Sequence, residues 1–227
     1  MWNSRTERLI GAEGVERLRG LRVLVVGVGG VGGYAVEMLA RSGVGHLTLI
    51  DSDTVADSNL NRQIIALRST VGQEKVDLFR QRIADINPEC GVETIPALLT
   101  PENVGEILDR GFDFVADCID TVAPKVALLS ECYRRKIKVI SSMGAGGRLD
   151  PTKVQYADLW ETHQDGLARA VRDAFKRRKS RPTIPVVFSS EAPRPTALVE
   201  EQGREFKRSS YGTLATIPSL FGIYIAA

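Results

Sequence analysis

The stretch RVLVVGVGGVGGYAVEMLARSG, residues 22–43, constrains the chain more than any other. An apolar run of this kind suits a strand buried on both faces, and the glycines after it permit a tight turn into an apolar helix. Such a βα unit presents the unpaired N–H groups of a helix N-terminus to an anion, as nucleotide sites do. Gly27 permits the turn and Gly29 lets backbone approach a phosphate, while Gly32 completes a GxGxxG spacing that also holds Gly30. Asp51 ends the next apolar run, 19 residues after Gly32, where a carboxylate can accept hydrogen bonds from ribose hydroxyls. These features fit NAD, FAD, S-adenosylmethionine and ATP alike.

Apolar runs recur at 21–27, 47–51, 92–95, 112–118 and 137–142, and helical patterns lie between them. In 73–86 the apolar residues Val76, Phe79, Ile83 and Ile86 fall on one helical stripe. Thr100 and Pro101 read as the N-cap and first residue of a helix over 101–110, and 123–136 reads as another. Strand alternating with helix predicts an α/β, doubly wound, mostly parallel, Rossmann-like sheet with ligands at the carboxyl ends of its strands. After Ser142 the pattern loosens: a glycine-rich turn at 144–153, strands at 154–159 and 184–189, a basic helix near 164–179, and a loop beyond Ser190. The expected organisation is one domain over 1–227, with a core at 1–142 and a small irregular α/β extension at 143–227 that faces substrate.

With 43 % hydrophobic and 26 % charged residues, the chain has globular composition and a net charge of only +2. The excess is uneven, since 172–181 carries six basic residues against one acidic. Lys176, Arg177, Arg178, Lys179 and Arg181, with Lys207 and Arg208, therefore read either as a solvated face or as a contact to a phosphate backbone. Three cysteines without a CxxC pair, and an N-terminus without a signal-peptide apolar region, fit a reducing, cytoplasmic setting. The uncharged segment 212–227 is shorter than the roughly 20 residues that span a bilayer. It is expected as a strand and helix buried on the core, or as membrane-associated if the native chain continues.

The loop after Asp51 separates the nucleotides. It brings Asp53, Asn59, Asn61 and Arg62 into one polar segment, with Lys75 at the start of the next helix. A redox dinucleotide needs no such cations, whereas cleaving ATP needs positive charge on the phosphates as negative charge moves to the leaving group. Asp120, past the end of the fourth strand, is placed to hold Mg²⁺ against phosphate oxygens, and Asp117 to cap the turn.

Taken in order, GxGGxG, D-x-D, N-x-x-R-Q, the lysine and D-x-x-D resemble the ThiF/MoeB/ubiquitin-activating superfamily, which adenylates carboxylates. The opening RTERLIG resembles that family's R-x-x-R segment. The resemblance implies a homodimer in which Arg8 reaches the partner's ATP phosphates. It also implies that Asp51 binds ribose, that Asn59, Arg62 and Lys75 bind phosphates, and that Asp120 binds the metal. NRQIIALRSTVGQEKVDLFRQRIADINPEC, CIDTVAPKVAL, GAGGRLDPTKVQYADL and FSSEAP are similar to the branch that dehydrates threonylcarbamoyladenosine beside the tRNA anticodon. That branch implies tRNA as partner and no DNA, a link to a cysteine desulfurase or sulfur-acceptor system, and a Na⁺ or K⁺ ion at the glycine-rich loop.

The cysteine distribution bears on the branch independently. Relatives that pass acyl or sulfur to a thiol need one beyond the central strands, and 133–227 contains no cysteine. A substrate that cyclises carries its own nucleophile. Arg148, in the loop after the fifth strand, is a candidate for the substrate or tRNA surface, and His163 and His46 read as a loop and a packing residue. The rival readings are adenylation of a sulfur-carrier protein C-terminus, a NAD-dependent oxidoreductase, and a non-catalytic adaptor.

Overall fold

The computed structural model describes residues 2–200 and 209–227. Seven strands form one sheet in the order β3-β2-β1-β4-β5-β7-β6. The central strand β1 (Arg22–Val26) is flanked by β2 (His46–Ile50) and β4 (Phe114–Asp117), each parallel to it. Outside them lie β3 (Gly91–Ile95) on one side and β5 (Lys138–Ser142) and β7 (Pro185–Ser189) on the other, all parallel. Only the edge strand β6 (Val154–Asp158) runs antiparallel, against β7. Four consecutive residues of β1 are buried, as a strand covered on both faces requires.

Both faces are clothed in helices. On one lie α2 (Gly32–Ser42), α3 (Lys75–Ile86) and the C-terminal α7 (Thr216–Ala226). On the other lie α4 (Val104–Leu108), α5 (Val122–Arg135) and α6 (Gly166–Arg177). The expected stripe on α3 is the buried one, with Val76, Phe79 and Ile83 each 1 % exposed. The N-terminal α1 (Ser4–Gly20) is two helical halves meeting at Gly11, and its carbonyl at Leu18 accepts the Gly45 N–H at the amino end of β2.

Three local expectations shift. The helix expected over 101–110 is shorter, because Thr100 and Asn103 cap each other's backbone N–H groups and close a turn before α4 begins. Within the expected loop beyond Ser190, the backbones of β8 (Leu198–Glu200) and β9 (Ser209–Tyr211) pair antiparallel. Segment 212–227 yields one helix and no separate strand. Ile217, Phe221 and Ile225 of α7 fall four residues apart and are buried in the core shared with α2. No helix among the described residues is long and apolar enough to cross a membrane.

Phe221 is fully buried, so Phe221→Ala should cost about 3–5 kcal/mol. The check is the urea midpoint at unchanged slope; a loss below about 1 kcal/mol would mean that α7 is not part of the core.

Candidate active site

The chain leaves β1 toward β2 and leaves β4 toward β5, so the carboxyl ends of β1 and β4 diverge and open a crevice at the topological switch point. Gly27, with φ +83°, donates its N–H to the Ile50 carbonyl at 2.8 Å. A Cβ on Gly32 would lie 1.8 Å from the Gly27 carbonyl oxygen, so only glycine lets α2 start this close to the strand end. Gly29 keeps an approachable backbone, its nearest neighbour being the Gln63 amide at 3.6 Å from a built Cβ.

Asp51 lies beside this turn and accepts the Val28 N–H at 2.8 Å and the Asp53 N–H at 2.9 Å. Burial pushes its carboxyl up from the usual range, against the opposing pull of the Lys75 charge. Lys75 is 3 % exposed and pairs with Asp53 at 2.9 Å, so the two acids of D-x-D and the lysine form one cluster.

Asn59 is buried, and its side-chain oxygen accepts the Ala56 N–H while its carbonyl accepts the N–H groups of Arg62 and Gln63. It builds the turn that presents Arg62. The aliphatic stem of Arg62 lies over Gly30, 3.6 Å from a built Cβ, and its Nη1 donates to the Ser58 carbonyl at 2.7 Å and to Asn61 at 2.9 Å. Arg62 thus borders the glycine turn. Asp120 is exposed on the segment between β4 and α5, across the switch point from that turn.

Two groups behind this surface were not legible as functional. Asp117 caps the turn as expected, accepting the Ile119 N–H at 3.1 Å, but it also forms a fully buried ion pair with Lys125 at 2.7 Å. Lys125 further donates to Ser141 and to the Ser142 carbonyl, tying the ends of β4 and β5 to the first turn of α5. Gln63, the last letter of N-x-x-R-Q, is 7 % exposed against Gly29. Among the described residues, its Oε1 is the buried side-chain polar atom without a hydrogen-bond partner.

Other expected residues lie elsewhere. Arg148 is 2 % exposed rather than facing a ligand, with its guanidinium donating to the carbonyls of Glu191 and Gln164 and to the Asp165 carboxylate. Asp165 also caps α6 and accepts the Gly144 N–H, so Arg148 braces the loop after β5 from within. From this anchor α6 descends 12 residues, about 18 Å, so the basic run lies on the flank of the sheet. There Lys176 to Lys179 are exposed, Arg178 reaches Ser130 of α5 and Arg181 sits over the Trp160 ring. Lys207 and Arg208 lie outside the described residues. Arg8 is exposed on the first half of α1. His163 packs edge-on to Phe188, and His46 opens β2. Burial pushes the Cys118 and Cys132 thiols up to about 12 and Cys90 up to about 11, which leaves them poor nucleophiles.

Open glycine backbone at a helix N-terminus, a part-buried carboxylate at Asp51 and a forked cation at Arg62 together fit a nucleoside triphosphate. No group of three or more His, Cys, Asp or Glu gathers among the described residues. One carboxylate, at Asp120, is compatible with Mg²⁺, which binds through one or two carboxylates and the substrate phosphates.

The fold and this crevice define a nucleotide-binding α/β protein, and the chain belongs to the ThiF family, whose model matches residues 3–227. It is 49 % identical over 190 residues to a tRNA threonylcarbamoyladenosine dehydratase of Bacillus subtilis, covering 84 % of this chain and 75 % of that one. The structure of the Escherichia coli enzyme TcdA in complex with ATP superposes with a TM-score of 0.89 at 38 % identity, over 98 % of this chain and 89 % of the other. A molybdopterin-synthase adenylyltransferase of Haemophilus influenzae is 40 % identical over 171 residues, 71 % of this chain and 69 % of its own.

Lys125→Ala would leave Asp117 buried without its counter-charge and should cost about 3–5 kcal/mol in thermal or urea unfolding. The pair of substitutions Asp117→Asn and Lys125→Met should recover much of that loss; simple addition of the two single losses would contradict the reading.

Proposed function

We propose that this chain is an ATP-dependent dehydratase of threonylcarbamoyladenosine in tRNA, acting through adenylation of the threonyl carboxylate and closure of the neighbouring carbamoyl group. What supports the reading is the Gly27 turn with Asp51 and Arg62 beside it, at the switch point past which Asp120 lies in the chain, together with 49 % identity over 190 residues to an enzyme of that name. Residues 1–142 act as the nucleotide core and 143–227 as the substrate-facing extension.

In this reading Asp51 accepts from ribose, while Arg62 and Lys75 meet the phosphates, each exchanging a present protein partner for phosphate oxygen. The substrate carboxylate attacks the α-phosphorus and pyrophosphate leaves. The carbamoyl group then attacks the activated carbonyl carbon, giving up a proton to solvent, and AMP leaves with the bonding pair and the carboxylate oxygen, so that the nucleoside loses the elements of one water. Magnesium held at Asp120, when bound, would neutralise charge on the phosphates. The protein's contribution is positioning and fixed positive charge. The raised thiols of Cys90, Cys118 and Cys132 support ring closure within the substrate over transfer to the protein.

In this reading the active form is a homodimer with Arg8 of the partner subunit at each crevice, which the exposed position of Arg8 on α1 permits. The flank run from Lys176 to Arg181 would meet tRNA phosphates outside the crevice, while the buried Arg148 would act by shaping the loop. A second reading, adenylation of a sulfur-carrier C-terminus, is favoured by the adenylyltransferase match. Family membership favours nucleotide activation over hydride transfer.

The deciding experiment is mass spectrometry of nucleosides from modified tRNA incubated with the protein and ATP. Loss of one water without any carrier protein is expected, and Arg62→Ala or Asp120→Ala should slow it by about 10²-fold or more. Turnover that needs a carrier and ignores tRNA would establish the second reading instead.

Mixing Arg8→Ala with Asp120→Ala subunits tests the dimer. Random reassortment leaves one intact crevice in half the dimers, so roughly a quarter of wild-type activity should return. No recovery would place Arg8 outside the partner's site.

A further inference from the structure

The loop after β5 is held with unusual firmness for a glycine-rich segment. Arg148 and Asp165 clamp it from below, and the Glu191 carboxylate accepts the N–H groups of Leu149 and Asp150 at 2.9 and 2.8 Å. On its outer side, the Gly147 N–H donates to the Gly212 carbonyl, and the Gly147 carbonyl accepts the Arg194 N–H. Tyr211 lies between these contacts. A Cβ on Gly146 would fall 2.6 Å from the Tyr211 Cβ, and one on Gly147 would fall 2.9 Å from its ring Cδ1. The missing side chains at 146 and 147 make the space that the tyrosine occupies, yet the residue keeps 39 % of its surface exposed.

The same segment touches the phosphate side of the crevice. Two residues beyond Tyr211, the Thr213 carbonyl accepts from Asn61 at 3.0 Å, and Asn61 in turn accepts from Arg62. Segment 211–213 therefore bridges the loop after β5 and the loop that carries Arg62, over the carboxyl edge of the sheet. A half-exposed aromatic ring on hydrogen-bonded backbone, at the edge of a nucleotide crevice, has the form of a stacking platform for a nucleobase.

We infer that Tyr211 is a substrate-positioning residue on which a base of the tRNA anticodon loop stacks, so that the attached carboxylate is presented toward the Arg62 side of the crevice. This rests on the proposed tRNA substrate and goes beyond it in naming the group that holds the base. The ring is what matters, because stacking uses its face and needs no hydroxyl.

The test compares Tyr211→Ala and Tyr211→Phe in the full-length protein. An anticodon stem-loop RNA serves as the binding probe and modified tRNA as the substrate. Tyr211→Ala should weaken stem-loop binding and raise KM for tRNA by roughly tenfold or more, with the ATP dissociation constant unchanged, which also reports an intact fold. Tyr211→Phe should restore both values. Equal RNA binding by wild type and Tyr211→Ala would overturn the inference, and so would a loss that Phe does not rescue. The stem-loop measurement stands apart from turnover. If wild type binds RNA through Tyr211 but removes no water, the dehydratase reading fails while the platform stands; if it dehydrates tRNA with no effect at Tyr211, the reverse holds.

Discussion

The contact between the first turn of α2 and the end of β1 is the constraint on which the rest of the molecule depends. A methyl group at Gly32 would overlap the Gly27 carbonyl at 1.8 Å, and one at Gly27 would press on the Cys118 carbonyl at 3.0 Å. Backbone therefore meets backbone at the point where β1 and β4 part, with no side chain to fill the opening. A helix N-terminus, a carboxylate at Asp51 and the segment that carries Asp120 all reach that opening because the glycines keep it narrow at its base. Widening it by one methyl group would separate the groups proposed to meet the same triphosphate.

Around this opening, buried polar groups position the residues assigned to chemistry. Asp117 and Lys125 share a fully buried pair that ties β4, β5 and α5 together directly behind Asp120. Asn59 uses its side chain to close the turn from which Arg62 projects, and Arg148 with Asp165 stiffens the loop after β5. Each is an interior hydrogen-bonded node whose loss would loosen a neighbour. Charge near the crevice thus has two populations, one spent on architecture and one at the surface where a ligand can exchange with it.

How much of this was legible follows from the range of the interactions. Strand β1 and helix α3 declare themselves because their periodicity is local, and the two glycines of the turn carry their geometry with them. The D-x-D spacing likewise places Asp53 beside Asp51, with Lys75 at the start of α3 meeting Asp53, and the N-x-x-R-Q turn presents Arg62. Lys125 carries no signal within its own helix, since its partners Asp117 and Ser141 come from two strands that only the sheet makes adjacent. Arg148 looked exposed in a glycine-rich loop because the groups that bury it, Gln164, Asp165 and Glu191, arrive from 16 to 43 residues away. The pairing of β8 with β9 has no alternating pattern to announce it, and Tyr211 at the end of β9 is legible only once Gly146 and Gly147 are seen beneath it.

The proposed activity comes down to one chemical step: a carboxylate oxygen of the substrate becomes bonded to the α-phosphorus of ATP in the crevice between β1 and β4. Labelling that carboxylate with ¹⁸O and analysing the nucleotide released in a single turnover tests this directly. One labelled oxygen should appear in AMP and none in pyrophosphate. AMP free of label, or label carried away in orthophosphate beside ADP, would contradict activation as an acyl-adenylate.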